Sequence, residues 1–269
     1  MSRIDAALAD LRGLDTLAAR DTPLVRVDAR AKVATTLIFL VVVVSFDRYA
    51  VAALLPFALY PAILAVQGDV PARWLLRKLA IAAPFAVLVG LFNPLLDRAP
   101  MLVAGGASLA GGWVSFASIL VRFALTVAAA LTMVAGTGMH ALCAALARLG
   151  VPRLFTAQLL FLYRYAFVLG GEASRLGTAR LVRGGTGSPT LAVYGSLAGH
   201  LLLRAFERAE RIHRAMLARG FDGEVRTLRT LFWKAGDTMF VAGWCAYFAI
   251  ARAVDLPLWL GRILIGSFA

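Results

Sequence analysis

Cysteine, histidine and acidic residues are scarce in this sequence, and each scarcity excludes a class of site. The 269 residues include 2 cysteines, 3 histidines and 15 aspartates and glutamates. Two cysteines in apolar surroundings imply neither a disulfide framework nor a thiol metal site. His140, His200 and His213 are too scattered to form a helical ligand pair. We therefore expect no transition-metal site built from this chain alone.

Motifs for phosphate binding and proton transfer are missing as well. Lys32, Lys78 and Lys234 each follow a residue other than glycine, so the Gly-Lys pair of a phosphate-binding loop is absent. The long apolar segments contain almost no carboxylates that could relay protons. We predict that the chain is not an enzyme, that it does not hydrolyse ATP itself, and that it is not a proton-driven carrier.

The apolar content indicates a membrane protein. Hydrophobic residues make up 61% of the chain and charged residues 16%, and the mean hydropathy is +0.79. Soluble domains are about half apolar and about a quarter charged. We predict an all-α, polytopic membrane helix bundle of about five spans, with long cytoplasmic amphipathic helices. The predicted spans are 33–46, 50–67, 79–96, 113–134 and 237–253, with a basic loop at 68–78 and an external loop at 97–112.

Positive charge is concentrated in one part of the chain. The net charge is +13, and residues 139–230 contain thirteen arginines against five carboxylates. By the positive-inside rule this segment is cytoplasmic. Its apolar residues recur every three or four positions from Leu202 onward, as in an amphipathic helix, and Glu207–Arg211 and Glu210–Arg214 are expected i,i+4 pairs. The predicted organisation is a cytoplasmic segment 1–32, transmembrane helices 33–137, a cytoplasmic helical domain 138–230 and a last span with its tail 231–269.

A short repeat occurs within the basic segment. Ala179-x-x-x-Arg183-Gly184 recurs 36 residues later as Ala215-x-x-x-Arg219-Gly220. Glycine just past a helix can adopt the left-handed conformation that ends it. Arginine in the last turn is favoured by the helix dipole and presents five donors beyond the helix end. Ordinary helix capping explains either copy alone, but the duplication favours two docking ends for two partner subunits.

One arginine lies inside a predicted span. Arg122 near the centre of a bilayer would cost about 2.5–3.5 kcal/mol on insertion scales. Two interpretations follow. The first is a contact with a partner or a transport pathway. The second, which we favour, is an arginine that pairs inside the helix bundle or reaches towards its edge.

Several segments together resemble a known family, the transmembrane (T) component of energy-coupling factor transporters, and within it the cobalt/nickel branch typified by CbiQ. These segments are VDARAK at 27–32, NPLLD at 93–97, LGVP at 149–152, YRY at 163–165, RAER at 208–211 and AMLARGF at 215–221. Arg122 also matches an arginine of the family's fourth span. The chain departs from the family at Ala29, where proline is usual, and at Val182, where the Ala-Arg-Gly form has alanine.

The resemblance implies a role as a coupling subunit in a bacterial inner membrane, with the N-terminus cytoplasmic. Two ATPase subunits, identical or different, would bind ATP and magnesium and would each receive one helix end. A separate membrane subunit, with a small accessory subunit, would bind cobalt. Nickel or a vitamin as substrate, and a pore-forming permease of an ordinary ABC importer, remain alternatives. No nucleic-acid partner is expected, because the basic helices alternate with glutamate and lack interleaved exposed aromatics.

The predicted contact residues form two sets and one isolated charge. The ATPase-docking set is Ala179, Arg183, Gly184, Ala215, Ala218, Arg219 and Gly220. The set that contacts the substrate-binding subunit is Leu159, Leu160, Tyr163, Phe167, Leu202, Phe206, Ala209, Ile212 and Met216. Arg122 is the membrane charge, and this chain itself is expected to bind no metal or other cofactor.

We predict that the purified chain alone binds neither ATP nor cobalt. It has no phosphate-binding loop, and its few potential metal ligands are scattered along the sequence. Calorimetric titration of the detergent-solubilised chain with each ligand checks this expectation. Tight, stoichiometric binding of cobalt would contradict a role in which another subunit holds the ion.

Overall fold

Helices make up almost all of the described chain. The computed structural model describes residues 3–96, 100–102, 108–184, 190–223 and 232–253. In chain order the elements in these ranges are α1 (Arg3–Ala18), α2 (Pro23–Arg26), α3 (Ala29–Val44), α4 (Val51–Leu54), a 3-10 turn (Leu55–Ala58), α5 (Leu59–Gln67), α6 (Ala72–Leu96), β1 (Pro100–Leu102), β2 (Ser108–Ala110), α7 (Gly111–Ala135), α8 (Met139–Arg148), α9 (Arg153–Val182), α10 (Leu191–Ala218) and α11 (Ala235–Ala253).

Three helices in the described ranges are long and apolar enough to cross a bilayer. They are Ala72–Pro94 of α6, the whole of α7, and α9. The apolar segment Val51–Gln67 is shorter and contains the 3-10 turn that starts beside Pro56. The predicted all-helical membrane bundle is thus confirmed. The total of about five spans stays a prediction, and α9 qualifies by length and composition although its second half is predicted to be cytoplasmic.

Two boundaries differ from the sequence-based expectation. The predicted loop 68–78 is helical from Ala72, because Pro71 ends the turn and its carbonyl accepts the N–H of Trp74 at 2.9 Å. Positive charge indicates the side of the bilayer but does not stop a helix, so the basic residues of this segment lie in the first turns of α6. The predicted external loop 97–112 contains β1 and β2, which pair antiparallel with Met101 opposite Leu109. Residues 111 and 112 of that loop begin α7, whereas residues 97–99 and 103–107 and the tail after 253 lie outside the described residues.

The chain forms two compact units. In the first unit, residues up to Thr16 associate with the chain from Met139 to the described Gly223. The second unit combines Leu17–Gly138 with the described residues 232–253. The predicted cytoplasmic helical domain 138–230 begins within one residue of Met139, where the first unit resumes. The predicted N-terminal segment 1–32 does not match one unit, because the boundary between the units falls after Thr16. Which side of the membrane each unit occupies stays a prediction.

The core of the second unit is aromatic. Phe39 of α3 lies against Tyr60 of α5 and Phe248 of α11, with ring centroids 4.7 Å and 5.5 Å away. All three side chains are fully buried. The Tyr60 hydroxyl is 2.7 Å from the Thr36 hydroxyl, which satisfies a polar group that lipid could not. Thr36, Phe39 and Val43 recur at steps of three and four, so one face of α3 supplies this core.

In the first unit, α1 packs closely on α9. A Cβ atom added to Gly170 of α9 would lie 2.7 Å from a methyl carbon of Leu8 in α1. Leu8 is itself buried. The adjacent Gly171 has no atom within 4 Å of the same added position. Gly170 therefore allows α1 to approach α9, while Gly171 does not have this role.

We predict opposite effects of alanine at these two glycines. Gly170→Ala should lower stability by about 1–3 kcal/mol because Leu8 must shift inside a packed contact. Gly171→Ala should raise it by up to about 1 kcal/mol, since alanine is the better helix former. Thermal unfolding of the detergent-solubilised variants measures both. Equal shifts in Tm would contradict the close packing of α1 on α9.

Candidate functional site

The two repeated helix ends have the same backbone geometry. Arg183 ends α9 with φ −83° and ψ 17°, and Arg219 ends α10 with φ −96° and ψ 9°. Gly184 and Gly220 follow with φ of +87° and +77°. At the second end the N–H of Phe221 returns to the carbonyl of Met216 at 3.0 Å. The predicted glycine caps are confirmed, since only glycine adopts this conformation without strain.

Both ends are exposed surfaces. Every member of the predicted docking set is exposed, namely Ala179, Arg183, Gly184, Ala215, Ala218, Arg219 and Gly220. Each arginine has an exposed apolar neighbour, Val182 at 82% and Leu217 at 55%. Beside Arg183 lies a shallow cleft that Arg175, Thr178 and Ala179 also line. Each end therefore combines a cation with apolar surface that nothing in its own unit covers.

A groove of about 540 Å³ runs between α9 and α10. The α10 residues that line it include five members of the predicted substrate-subunit set, Leu202, Phe206, Ala209, Ile212 and Met216. From α9 the lining residues include Leu154, Gln158, Phe161, Tyr165 and Leu169. The lining is mostly apolar, and Phe206 is 66% exposed. The structure thus brings the predicted α10 stripe together on one surface.

The predicted α9 residues are placed elsewhere. Leu159 and Leu160 are half-buried and do not line the groove. The rings of Tyr163 and Phe167 are 5.2 Å apart, and Tyr163 also lies 6.4 Å from the ring of His140 in α8. The first half of α9 is apolar on more than one face, so its sequence pattern does not indicate which stripe faces α10. The contact of Leu159, Leu160, Tyr163 and Phe167 with the substrate-binding subunit stays a prediction.

Charged groups join α9 to α10. Arg204 of α10 donates to Glu172 of α9 at 2.5 Å, and Arg175 lies 3.8 Å from the same carboxylate. The predicted pair of Glu210 with Arg214 is confirmed within α10. Glu172 therefore links α9 and α10, the two helices that bear the predicted docking ends.

Arg122 pairs inside its own unit. It donates to the carbonyl of Phe46 at 2.9 Å and also to the carbonyl of Asp47. These carbonyls lie in the turn that follows the end of α3. Arg252 of α11 donates to Ser45 at 3.3 Å in the same turn. Arg122 thus bonds within its own unit, and its predicted role as a membrane charge stays a prediction.

A buried lysine at the start of α3 was not singled out by sequence reasoning. Lys32 is 2% exposed, and its ammonium donates to the carbonyls of Leu24 and Gly136, both at 3.1 Å. A buried charge is costly unless such acceptors solvate it. Leu24 packs closely on Gly136. A Cβ atom added to Gly136 would lie 2.3 Å from a methyl carbon of Leu24. Lys32 thus holds α2 and the end of α7 against α3.

Two carboxylates extend this arrangement. Asp28 caps α3, accepting the N–H of Arg30 at 2.8 Å and pairing with its guanidinium at 3.1 Å. The N–H of Asp28 donates to one oxygen of Asp237 at 2.8 Å, and the other oxygen accepts the N–H of Lys234 at 2.8 Å. The Arg30 guanidinium lies 5.5 Å from the centre of the Trp233 ring. We call Asp28, Arg30, Lys32 and Asp237 the polar cluster.

Opposing effects set the pKa of Asp28 in the polar cluster. Burial alone would raise the pKa of Asp28, but the hydrogen bonds from Arg30 and the charges of Arg30 and Lys32 lower it overall. The signal for this cluster was present in the sequence as VDARAK at 27–32. Its partners were not predictable, since backbone carbonyls have no sequence signature.

In the part of the chain that the structure describes, no three histidine, cysteine, aspartate or glutamate side chains meet where they could hold a metal ion. The exposed helix ends and the apolar groove are the surfaces that carry the predicted docking residues and the predicted α10 stripe. Membrane helices combined with such surfaces are features of a non-catalytic component of a membrane transport system.

Comparison with known proteins identifies the family. The model of the CbiQ cobalt transport protein family matches residues 20–229, and the chain belongs to this family. Its members are membrane transport components and not enzymes. The predicted family is thus confirmed.

Two relatives match shorter stretches. An uncharacterized protein of Methanocaldococcus jannaschii is 34% identical over 85 residues, 31% of this chain and 32% of the relative. A putative fused cobalt transport protein CbiMQ of Methanocorpusculum labreanum is 34% identical over 89 residues, 32% of this chain and 15% of the relative. The matched stretches thus span about a third and about a seventh of these relatives.

We predict that Glu172→Gln loosens the crossing of α9 over α10. The amide loses the charge that holds Arg204, whereas Glu210→Gln removes a pair within α10 and serves as the matched control. Spin labels on the exposed Thr178 and Ser196 report the distance between the helices. The distance distribution should broaden for the first variant only, and about 1 M salt should broaden the wild type similarly. Equal effects of the two variants would contradict this role of Glu172.

Proposed function

We propose that this chain is the transmembrane coupling subunit, the T component, of an energy-coupling factor importer driven by ATP. The observation that supports the proposal best is the pair of exposed helix ends, Arg183-Gly184 and Arg219-Gly220, with matching cap geometry. One chain with two equivalent ends suits a scaffold that bridges two ATPase subunits. A permease of an ordinary ABC importer would offer one such end per chain.

Each helix end has the chemistry of a docking contact. Arg183 and Arg219 present guanidinium donors where the helix carbonyls already attract positive charge. The small Ala179 and Ala215, one turn earlier, leave room for another surface to approach. The glycine that follows directs the chain away from the helix axis. A groove on an ATPase that offers carboxylates or carbonyls could therefore receive the arginine.

The groove between α9 and α10 suits the substrate-binding membrane subunit. Its apolar lining, including the exposed Phe206, would be covered by an apolar helix face of that subunit. ATP-driven closing of the ATPases would move the ends of α9 and α10 relative to each other. The groove would change shape, and the bound subunit would tilt so that its ligand faces the cytoplasm.

Cobalt is the proposed substrate, on the basis of the family description. The ion would be held by the partner membrane subunit, assisted by a small accessory subunit, and ATP with magnesium by the ATPases. Nickel and vitamins are the alternative substrates. The complex would lie in a bacterial inner membrane, with the N-terminus and residues 138–230 in the cytoplasm, where the ATPases are.

We predict that Arg219→Glu abolishes transport and weakens ATPase binding by at least about thirtyfold. Removing one partner of a buried, hydrogen-bonded charge pair costs about 2–5 kcal/mol, and each 1.4 kcal/mol is a factor of ten. Capture of the ATPases by the tagged chain from membranes, followed by quantitative mass spectrometry, measures binding, and uptake of radioactive cobalt measures transport.

Arg148→Glu is the matched control for this prediction. Arg148 is also an exposed arginine in the last turn of a helix of the same unit, but leucine separates it from the glycine at position 150. We expect this variant to capture ATPases normally. Normal capture by Arg219→Glu, or equal loss in both variants, would contradict the docking assignment.

We predict that Phe206→Asp detaches the substrate-binding subunit and leaves the ATPases bound. Burying a phenylalanine side chain contributes about 1.5–3 kcal/mol, so its loss weakens the contact by at least about tenfold. Leu203→Asp is the control, because Leu203 is 63% exposed on the same helix and does not line the groove. Equal retention of the membrane subunit by both variants would contradict the proposed use of the groove.

A further inference from the structure

The polar cluster stands at an unusual place in the chain. The chain passes between its two units three times: after Thr16, after Gly138, and between the described residues Gly223 and Phe232. Whatever force one unit exerts on the other through the polypeptide must act through these three passages.

Each passage is bordered, inside the second unit, by a segment bound to the polar cluster. After the first passage comes α2, whose Leu24 carbonyl accepts from Lys32. Before the second passage, at the end of α7, the Gly136 carbonyl accepts from the same ammonium. After the third passage Asp237 accepts the N–H of Asp28. The side chains of Lys32 and Asp237, the latter through the backbone N–H of Asp28, thus hold the second-unit ends of all three connections.

The geometry of these bonds leaves little freedom of movement. Lys32, Asp28 and Asp237 are 2%, 6% and 4% exposed, so water does not compete for their partners. Breaking one bond leaves a buried polar group without a partner, which costs more than the bond itself contributes. The aliphatic part of Lys32 is enclosed as well, because the whole residue is buried. The three segments are therefore held as one body.

We propose that the polar cluster is the anchor that passes movement of the coupling helices to the membrane helices. This inference rests on the coupling role proposed above. A displaced helix moves its neighbour only if the chain between them is fixed at its far end, since a loose segment absorbs the displacement. Lys32, Asp28 and Asp237 are then positioning residues for transport. They contact neither ATPase nor substrate, and they keep ATP hydrolysis and transport linked.

The test compares transport with ATP hydrolysis in the complete complex, reconstituted in liposomes. Lys32→Met keeps the length of the side chain and removes its three donors. We expect cobalt moved per ATP hydrolysed to fall by about tenfold, within the usual range for coupling between sites. Capture of ATPases and of the membrane subunit should be unchanged. Asp237→Ala should behave in the same way, and Asp237→Asn, which keeps one acceptor oxygen, should restore most of the ratio.

Lys78→Met is the matched control. It removes the same charge from α6, where the ammonium lies 5.9 Å from the centre of the Trp74 ring, and it should leave the ratio unchanged. An unchanged ratio in both Lys32→Met and Asp237→Ala would overturn the proposal. Loss of subunit capture in parallel with transport would also overturn it, because the cluster would then serve folding only. A wild-type chain that captures no ATPase would instead contradict the coupling function itself.

Discussion

Lys32 places a positive charge in the interior of the helix bundle, and the second unit is arranged around solvating it. The ammonium requires acceptors, and the carbonyls of Leu24 and Gly136 supply two. These acceptors are available only if α2 and the end of α7 lie beside the first turn of α3. Asp28 and Asp237 then connect the same turn to the start of α11. Removing the charge would take this donor from the Gly136 carbonyl and leave the Leu24 carbonyl with the N–H of Val27, and a buried group that loses its partner costs more than the bond itself contributes.

The first unit has the opposite character. None of the residues of α10 is fully buried, although an apolar stripe runs along it. A helix with an uncovered apolar face is typical of a surface that another protein covers. Its end, like that of α9, is closed by a glycine with positive φ and exposes an arginine. The second unit thus has a buried aromatic core and a buried polar cluster, whereas α10 of the first unit leaves an apolar face and a terminal arginine exposed.

The features that the sequence predicted best are those determined by neighbouring residues. Gly184 and Gly220 identify their helix ends because a left-handed backbone conformation is a local property. The apolar stripe of α10 can be recognised in the sequence because the opposite face of the helix is charged. The face of α9 was not predictable, since that helix is apolar on several sides and its orientation depends on Gly170 and Glu172. The partners of Arg122 and Lys32 were also not predictable, because both donate to backbone carbonyls that long-range packing brings to them.

The composition of the complex tests the central claim most directly. Native mass spectrometry of the tagged chain, extracted from its own membrane in mild detergent, counts the copies of each subunit. A coupling subunit predicts one copy of this chain with two ATPase subunits and a separate membrane subunit that binds the substrate. Two copies of this chain with two ATPases and no further membrane subunit would contradict it, because the chain would then form its own pore.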